Sequence, residues 1–215
     1  MSDQELVEVY DDDMKKLGTM TRRESHVSGR WHLNFHCWIV SRSRGGSVLF
    51  QVRSRQKPAF PGLLDSTVGG HYRADQTLQG VLHEAMEEIG LRIDASDLLP
   101  LGRRLDIAKA GDMIKREVAT VFFLQRDSPP SEYRLDRSEV EGLVELPIAS
   151  GLRLFSGEAT RAKVKGVYWE DGSQSWTESE KSVKQDDFVP KADSYYLTVF
   201  IMAERLLAGE KYLSI

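Results

Sequence analysis

Glu84, Glu87 and Glu88 close a segment, Asp75 to Leu91, whose spacing predicts a helix. Leu78, Val81, Leu82, Ala85 and Ile89 recur at helical spacing, Asp75 can cap the start and Gly90 can end it. Glu84 lies i to i+3 from Glu87 and i to i+4 from Glu88, so all three are expected on one side, opposite the apolar stripe. Like charges at that spacing repel by about 0.2–0.5 kcal/mol per pair, and the helix C-terminus already disfavours negative charge. No Lys or Arg on the segment offsets them. A solvated acidic face is the bland reading. A bound divalent cation would relieve both penalties, and metal binding is the chemistry the pattern favours.

Other residues could complete such a site. Gly69 and Gly70, just before the helix, allow close approach of backbone to a ligand. Gly80 costs about 1 kcal/mol inside a helix, so it either leaves room beside the carboxylates or is drift. Arg53 and Lys57, with Arg55 between them, could grip phosphate oxygens, which suggests a diphosphate ligand; alone they read as an ordinary charged loop. All five histidines (His26, His32, His36, His71, His83) fall in the first 83 residues. His71, directly after the glycine pair, is the one expected nearest the site.

The elements that must position these groups fit one large domain of 215 residues. Composition is 40% hydrophobic and 29% charged, and a net charge of −4 argues against a nucleic-acid footprint. A single cysteine, Cys37, forbids an intrachain disulfide. Neither a signal pattern nor an apolar run of membrane-spanning length is seen, so a soluble, cytoplasmic protein is expected. Strands are predicted at 5–10, 31–40, 47–52, 66–68, 99–107, 114–125 and 139–146, with 31–52 as a hairpin. A short helix is predicted at 149–155, a small hairpin at 164–176, a loop at 177–187, and an amphipathic helix at 194–207 presenting Leu197, Phe200, Ile201 and Leu207. That last helix is expected to dock on the core or on a second subunit, which makes a homodimer reasonable. The order implies an α/β or α+β sandwich with helices against a mixed sheet.

The run His83-Glu-Ala-Met-Glu-Glu-Ile-Gly-Leu91 resembles the second half of the Nudix signature, with His83 in the arginine's place and Asp75 in that of the earlier glutamate. Strict counting makes Gly69 the signature glycine. The segment Pro61-Gly-Leu-Leu-Asp-Ser-Thr-Val-Gly-Gly-His71 is more similar to the isopentenyl-diphosphate-isomerase-like branch, and that register selects Gly70. Arg53-Ser-x-x-Lys57 and Trp31-His32 extend the likeness, which spans about residues 7–146. The branch's isomerases carry a cysteine where this chain has Gly69. His26, His32, His71 and Glu117 match residues of the branch's second metal site, whereas Lys115 stands in the place of its other glutamate.

The resemblance implies a Nudix-type α/β/α sandwich over residues 1–156 (arm 1–30, core 31–156), with a C-terminal extension at 157–215. It implies metal-dependent hydrolysis of a diphosphate linkage in a nucleoside diphosphate derivative or other diphosphorylated small molecule. A Nudix module that binds without cleaving is the alternative, and isomerase activity is disfavoured. Glu84, Glu87 and Glu88 are expected to hold Mg²⁺, with Mn²⁺ as the alternative. Arg53, Lys57, Gly70 and His71 are expected to bind substrate. Glu84, Glu88 and Glu117 are expected to be catalytic; Glu84 and Glu117 are candidate bases, with Glu139 and Glu141 behind them.

Overall fold

Residues 4–110 and 113–215 are described by a computed structural model, and everything in it is arranged around one strand. β1 (Leu6–Tyr10) and β2 (Lys16–Thr21) pair antiparallel and lead through α1 (Arg22–Ser28) into that strand, β3 (Trp31–Ser41). Then come β4 (Ser47–Arg53), β5 (Leu64–Ser66), β6 (Val68–His71), α2 (Leu78–Val81) and α3 (His83–Ile89). The long pair β7 (Leu99–Ala110) and β8 (Met113–Gln125) precedes β9 (Val140–Pro147) and α4 (Ile148–Phe155). β10 (Ala162–Glu170), β11 (Ser175–Val183) and α5 (Tyr195–Leu207) follow.

All these strands join one mixed sheet. β3 pairs with β8 in parallel from Trp31 to Val40, and with β6 antiparallel from Asn34 to Cys37. The expected hairpin of β3 and β4 exists only at Val40 and Ser41; beyond them β4 departs to pair along β9.

Alternation along β3 sends Phe35, Cys37 and Ile39 to one face and His32, Asn34, His36, Trp38 and Val40 to the other. Phe35, Cys37 and Ile39 share a core with Val81, Leu82, Ala85 and Ile89 of α2 and α3. Trp38 and Val40 share the second core with Leu154 of α4 and Val199, Phe200 and Ala203 of α5. Helices thus cover both faces of a mixed α+β fold. No described helix is long and apolar enough to cross a membrane.

Several expectations need correction. The helix expected over 75–90 is two segments that meet at Leu82, and Thr77 caps the first by accepting from Gly80 N at 3.3 Å. Asp75 is no cap, because it sits in the left-handed region at φ 62°. Gly90, at φ 67°, does end the second segment. Residues 177–183 are strand rather than loop, since β10 and β11 pair without a break from Ala162↔Val183 to Glu170↔Ser175. β10 in turn pairs with β9, so the tail continues the core sheet. The buried face of α5 is Tyr196, Val199, Phe200, Ala203 and Leu206, with Leu197, Ile201 and Leu207 at its margin. That face lies against the core.

Buried polar contacts fasten the start of α5. Lys191 Nζ lies 2.9 Å from Asp106, Arg104 bridges Asp106 at 3.4 Å and Asp193 at 2.8 Å, and Lys191 and Asp106 are both buried. Tyr195 OH accepts from Trp38 Nε1 at 2.8 Å and donates to His36 Nδ1 at 2.9 Å. Removing one partner of a buried ion pair strands the other in low dielectric. Lys191→Ala is therefore expected to cost about 3 kcal/mol, read as a lowered urea midpoint with an unchanged slope.

Candidate active site and metal centre

Glu84 and Glu88 are buried on α3 while Glu87 points to solvent, so the structure does not gather the three as expected. At 100° per residue, Glu84 and Glu88 flank the apolar stripe and only Glu87 opposes it. Glu84 packs on β6. A Cβ at Gly70 would come within 2.8 Å of Glu84 Cγ and 3.0 Å of the Phe35 ring, so the glycine makes room for the carboxylate. Arg73 Nη2 lies 3.9 Å from Glu84, and Arg73 also bonds Glu5. Glu88 meets Gln51 Nε2 at 3.5 Å.

Both buried carboxyls hold their protons tightly. Burial, with Glu87 adding repulsion, pushes Glu84 up to about 7. Burial also pushes Glu88 up to about 8, against the opposing pull of Lys57. These folded values lie above the unfolded one, so from about pH 4.5 to 8 the folded chain holds more protons and loses stability as pH rises. We expect the melting temperature of metal-free protein to fall between about pH 5 and about pH 9, with Mg²⁺ restoring more of it at the alkaline end. A flat profile would contradict the buried carboxyls.

The basic pair is engaged by acidic neighbours. Arg53 Nη1 lies 3.1 Å from Asp65, and Lys57 bonds Glu139. Glu141 accepts from Arg55 N at 2.9 Å, so both reserve bases already have partners. Gly80 gives room to neither loop nor ligand; a Cβ there would meet Gln76 Cγ at 2.8 Å. His83 is exposed.

On the opposite face, His26 from α1, His32 from β3, His71 from β6 and Glu117 from β8 bring one ligand atom each within 4.8 Å of one another. This is the group that could share an ion among the described residues. His71, like Glu117, therefore lies across the sheet from Glu84 and Glu88. Register explains the convergence: His32 stands beside Glu117 in the parallel ladder, and His71 stands opposite Asn34. Burial alone would raise Glu117, but Lys115 and His71 outweigh it and hold the carboxyl well below the usual range. Burial pushes His26 down to about 4 and His71 down to about 3, so both rings are neutral near pH 7.

The donor set fits a metal ion. Nε2 of His26 and Nε2 of His32 are buried without hydrogen-bond partners. Such an orphan costs roughly 1–3 kcal/mol, and a cation accepting both lone pairs would remove that cost. Imidazole nitrogens suit zinc-like ions better than Mg²⁺.

Sequence reasoning missed α1, which carries His26, although Thr21-x-x-Glu24 is a capping-box pattern and forms one here. It also missed Asn34 and the link from His36 through Tyr195 to Trp38. The alternation His32-x-Asn34-x-His36-x-Trp38 was the available signal of one polar strand face.

Comparison with known proteins adds four findings. The NUDIX domain matches residues 30–164. An uncharacterized Nudix hydrolase of Clostridium acetobutylicum is 27% identical over 198 residues, spanning 92% of this chain and 96% of that protein. An isopentenyl-diphosphate Delta-isomerase of Clavibacter michiganensis is 28% identical over 127 residues, 58% of this chain and 64% of that enzyme. Among solved structures, DR0079 from Deinococcus radiodurans superposes with a TM-score of 0.56 at 21% identity, covering 71% of this chain and 90% of that one, a likeness of fold.

Proposed function

The chain belongs to the Nudix hydrolase family, and on that premise we propose that it cleaves a diphosphate linkage in a nucleoside diphosphate derivative or other diphosphorylated small molecule, using Mg²⁺ (or Mn²⁺) held by Glu84 and Glu88, with Glu87 turning in from solvent to join them. One observation carries this reading. Glu84 and Glu88 are buried one helical turn apart with protonation midpoints pushed up to about 7 and about 8, and no Lys or Arg lies on their helix. Carboxylate oxygens suit a hard divalent ion. When bound, that ion would neutralise diphosphate charge and acidify water.

The chain's own groups do the rest. Glu84, beside Gly70, would take the proton of the attacking water. Arg53 and Lys57 would turn from Asp65 and Glu139 towards the substrate's phosphoryl oxygens, where guanidinium and ammonium stabilise growing charge. Gly70 keeps the backbone low beside Glu84. Glu117, the other expected base, lies across the sheet and is too weakly basic near pH 7 for that task. We assign it to the histidine centre instead, with His71.

Isomerase activity is disfavoured by Gly69. A Cβ there would already meet Ser66 Oγ at 3.1 Å, and no thiol stands nearby, since Cys37 is buried on the other face. Incubation with nucleotide and isoprenoid diphosphates, with and without Mg²⁺, decides. Mg²⁺-dependent phosphate or diphosphate release is the expected result. Allylic rearrangement, or saturable binding without turnover, would replace this reading with the isomerase or the binding module. A cytoplasmic setting is proposed with it.

A further inference from the structure

Arg73 stands between two carboxylates that come from different parts of the chain. Its Nε bonds Glu5 of the N-terminal arm, and its Nη2 lies 3.9 Å from Glu84 of α3, too far for a hydrogen bond. Glu87 also lies within the guanidinium's electrostatic reach. The Glu5 side chain is nearly buried, and its second oxygen, Oε2, is buried without a hydrogen-bond partner. The Arg73 side chain is half-exposed, so it has room to turn. The backbone on both sides is pinned. Val7 of β1 forms an antiparallel bridge with Arg73, and Ala74 N donates to Leu6 O at 2.9 Å. Tyr72 N donates to Leu33 O at 3.1 Å, and Arg22 N donates to Glu5 O at 2.8 Å. One mobile guanidinium is thus shared by two fixed acceptors, of which Glu5 keeps an oxygen in reserve.

We propose that Arg73 is an exchangeable counter-ion: it neutralises Glu84 in the metal-free protein and passes to both oxygens of Glu5 when Glu84 takes Mg²⁺, so that the N-terminal arm sets the metal affinity of the active site. The exchange rests on the proposed hydrolase site, in which Glu84 holds the ion. A guanidinium and a divalent cation repel each other at one carboxylate, and no Lys or Arg on α3 shares the task of neutralising Glu84. The same guanidinium can grip a carboxylate edge with two parallel N–H bonds, and Glu5 has the free oxygen to accept the second. That bond satisfies the orphaned Oε2, so Glu5 offsets part of the cost of freeing Glu84. Glu5 and Arg73 are positioning residues in this scheme, and neither is a ligand of the ion.

Mg²⁺ binding to the full-length protein, followed by titration calorimetry, tests the exchange without reading turnover. Imidazole nitrogens hold Mg²⁺ poorly, so the histidine centre contributes little heat. Arg73→Gln removes the competing cation and is expected to tighten Mg²⁺ binding by about 3- to 10-fold. Glu5→Gln removes the guanidinium's alternative seat, leaves it on Glu84, and is expected to weaken Mg²⁺ binding by about 3- to 10-fold. In the double variant the Glu5 change has nothing left to act through, so its affinity should match that of Arg73→Gln within about 2-fold. An affinity midway between the two single variants, the sum of independent charge effects, would overturn the exchange. So would Arg73→Gln binding Mg²⁺ like wild type, and that half-exposed position decides alone if Glu5→Gln does not fold. Glu84→Gln separates the exchange from the metal site it rests on, since Mg²⁺ binding is expected to be lost there. Mg²⁺ uptake unchanged in folded Glu84→Gln, or none by folded wild type, would remove Glu84 as the ion's seat and the exchange with it.

Discussion

Glu88→Gln is expected to lower Mg²⁺-dependent diphosphate hydrolysis by about 10²–10⁴-fold while leaving the protein as stable as before, or more so. The two effects share a cause. Burial keeps Glu88 protonated up to about pH 8, and an amide reproduces that neutral form in nearly the same volume. Near pH 5 wild type and variant should melt together. Near pH 9, where the wild type must bury a carboxylate, the variant should be more stable by on the order of 1–3 kcal/mol. Steady-state rates over a Mg²⁺ series, paired with melting curves at both pH values, check both halves. Full activity in Glu88→Gln would remove Glu88 from the reaction.

The same substitution at Glu117 should have the opposite effect on stability. Glu117 is fully buried, ionised and held by four groups, so its folded pKa lies below the unfolded one. Its stabilisation is present above about pH 4.5 and lost as pH falls through the folded value. A glutamine there has one acceptor oxygen where the carboxylate had two, so it cannot satisfy His71 on one side and both Lys115 and Asn34 on the other. We expect Glu117→Gln to cost about 2–4 kcal/mol near pH 7. Part of the penalty is relieved because Lys115, one-third exposed, can turn towards water. Urea denaturation at neutral pH measures it, and a variant as stable as wild type would show that the carboxylate holds nothing together.

Most strands, and the acidic helix that carries the Nudix likeness, were legible because their periodicity is local. Val118, Val121, Phe122 and Phe123 announce β8 without reference to any partner. What pairs with β8 is not local: only the fold sets Trp31 beside Arg116 and His32 beside Glu117. The Lys115 contact was hidden for the same reason, since a lysine two residues before a glutamate looks like ordinary surface charge until a strand face buries the glutamate. The orientation of Glu87 differs in kind. The 100° arithmetic was available in the sequence, but grouping the glutamates by i+3 and i+4 spacing concealed that two of them border the apolar stripe. Thr177–Val183 looked like a loop because β11 is polar; as an outer strand with mostly exposed side chains it needs no apolar face, only the backbone ladder of β10.

The parallel pairing of β3 with β8 also bears on how the chain reaches its native state. Hairpins can zip from a turn, but β3 and β8 are joined through some eighty residues of intervening chain, and closing so long a loop comes before any reward from contacts. His26 and His32 emerge early during synthesis, whereas their carboxylate arrives only with residue 117. Until then an ion on those imidazoles would be weakly held and free to bridge to the wrong partner. Refolding with excess Zn²⁺ present from the start should therefore be slower than refolding with Zn²⁺ added after the sheet has formed.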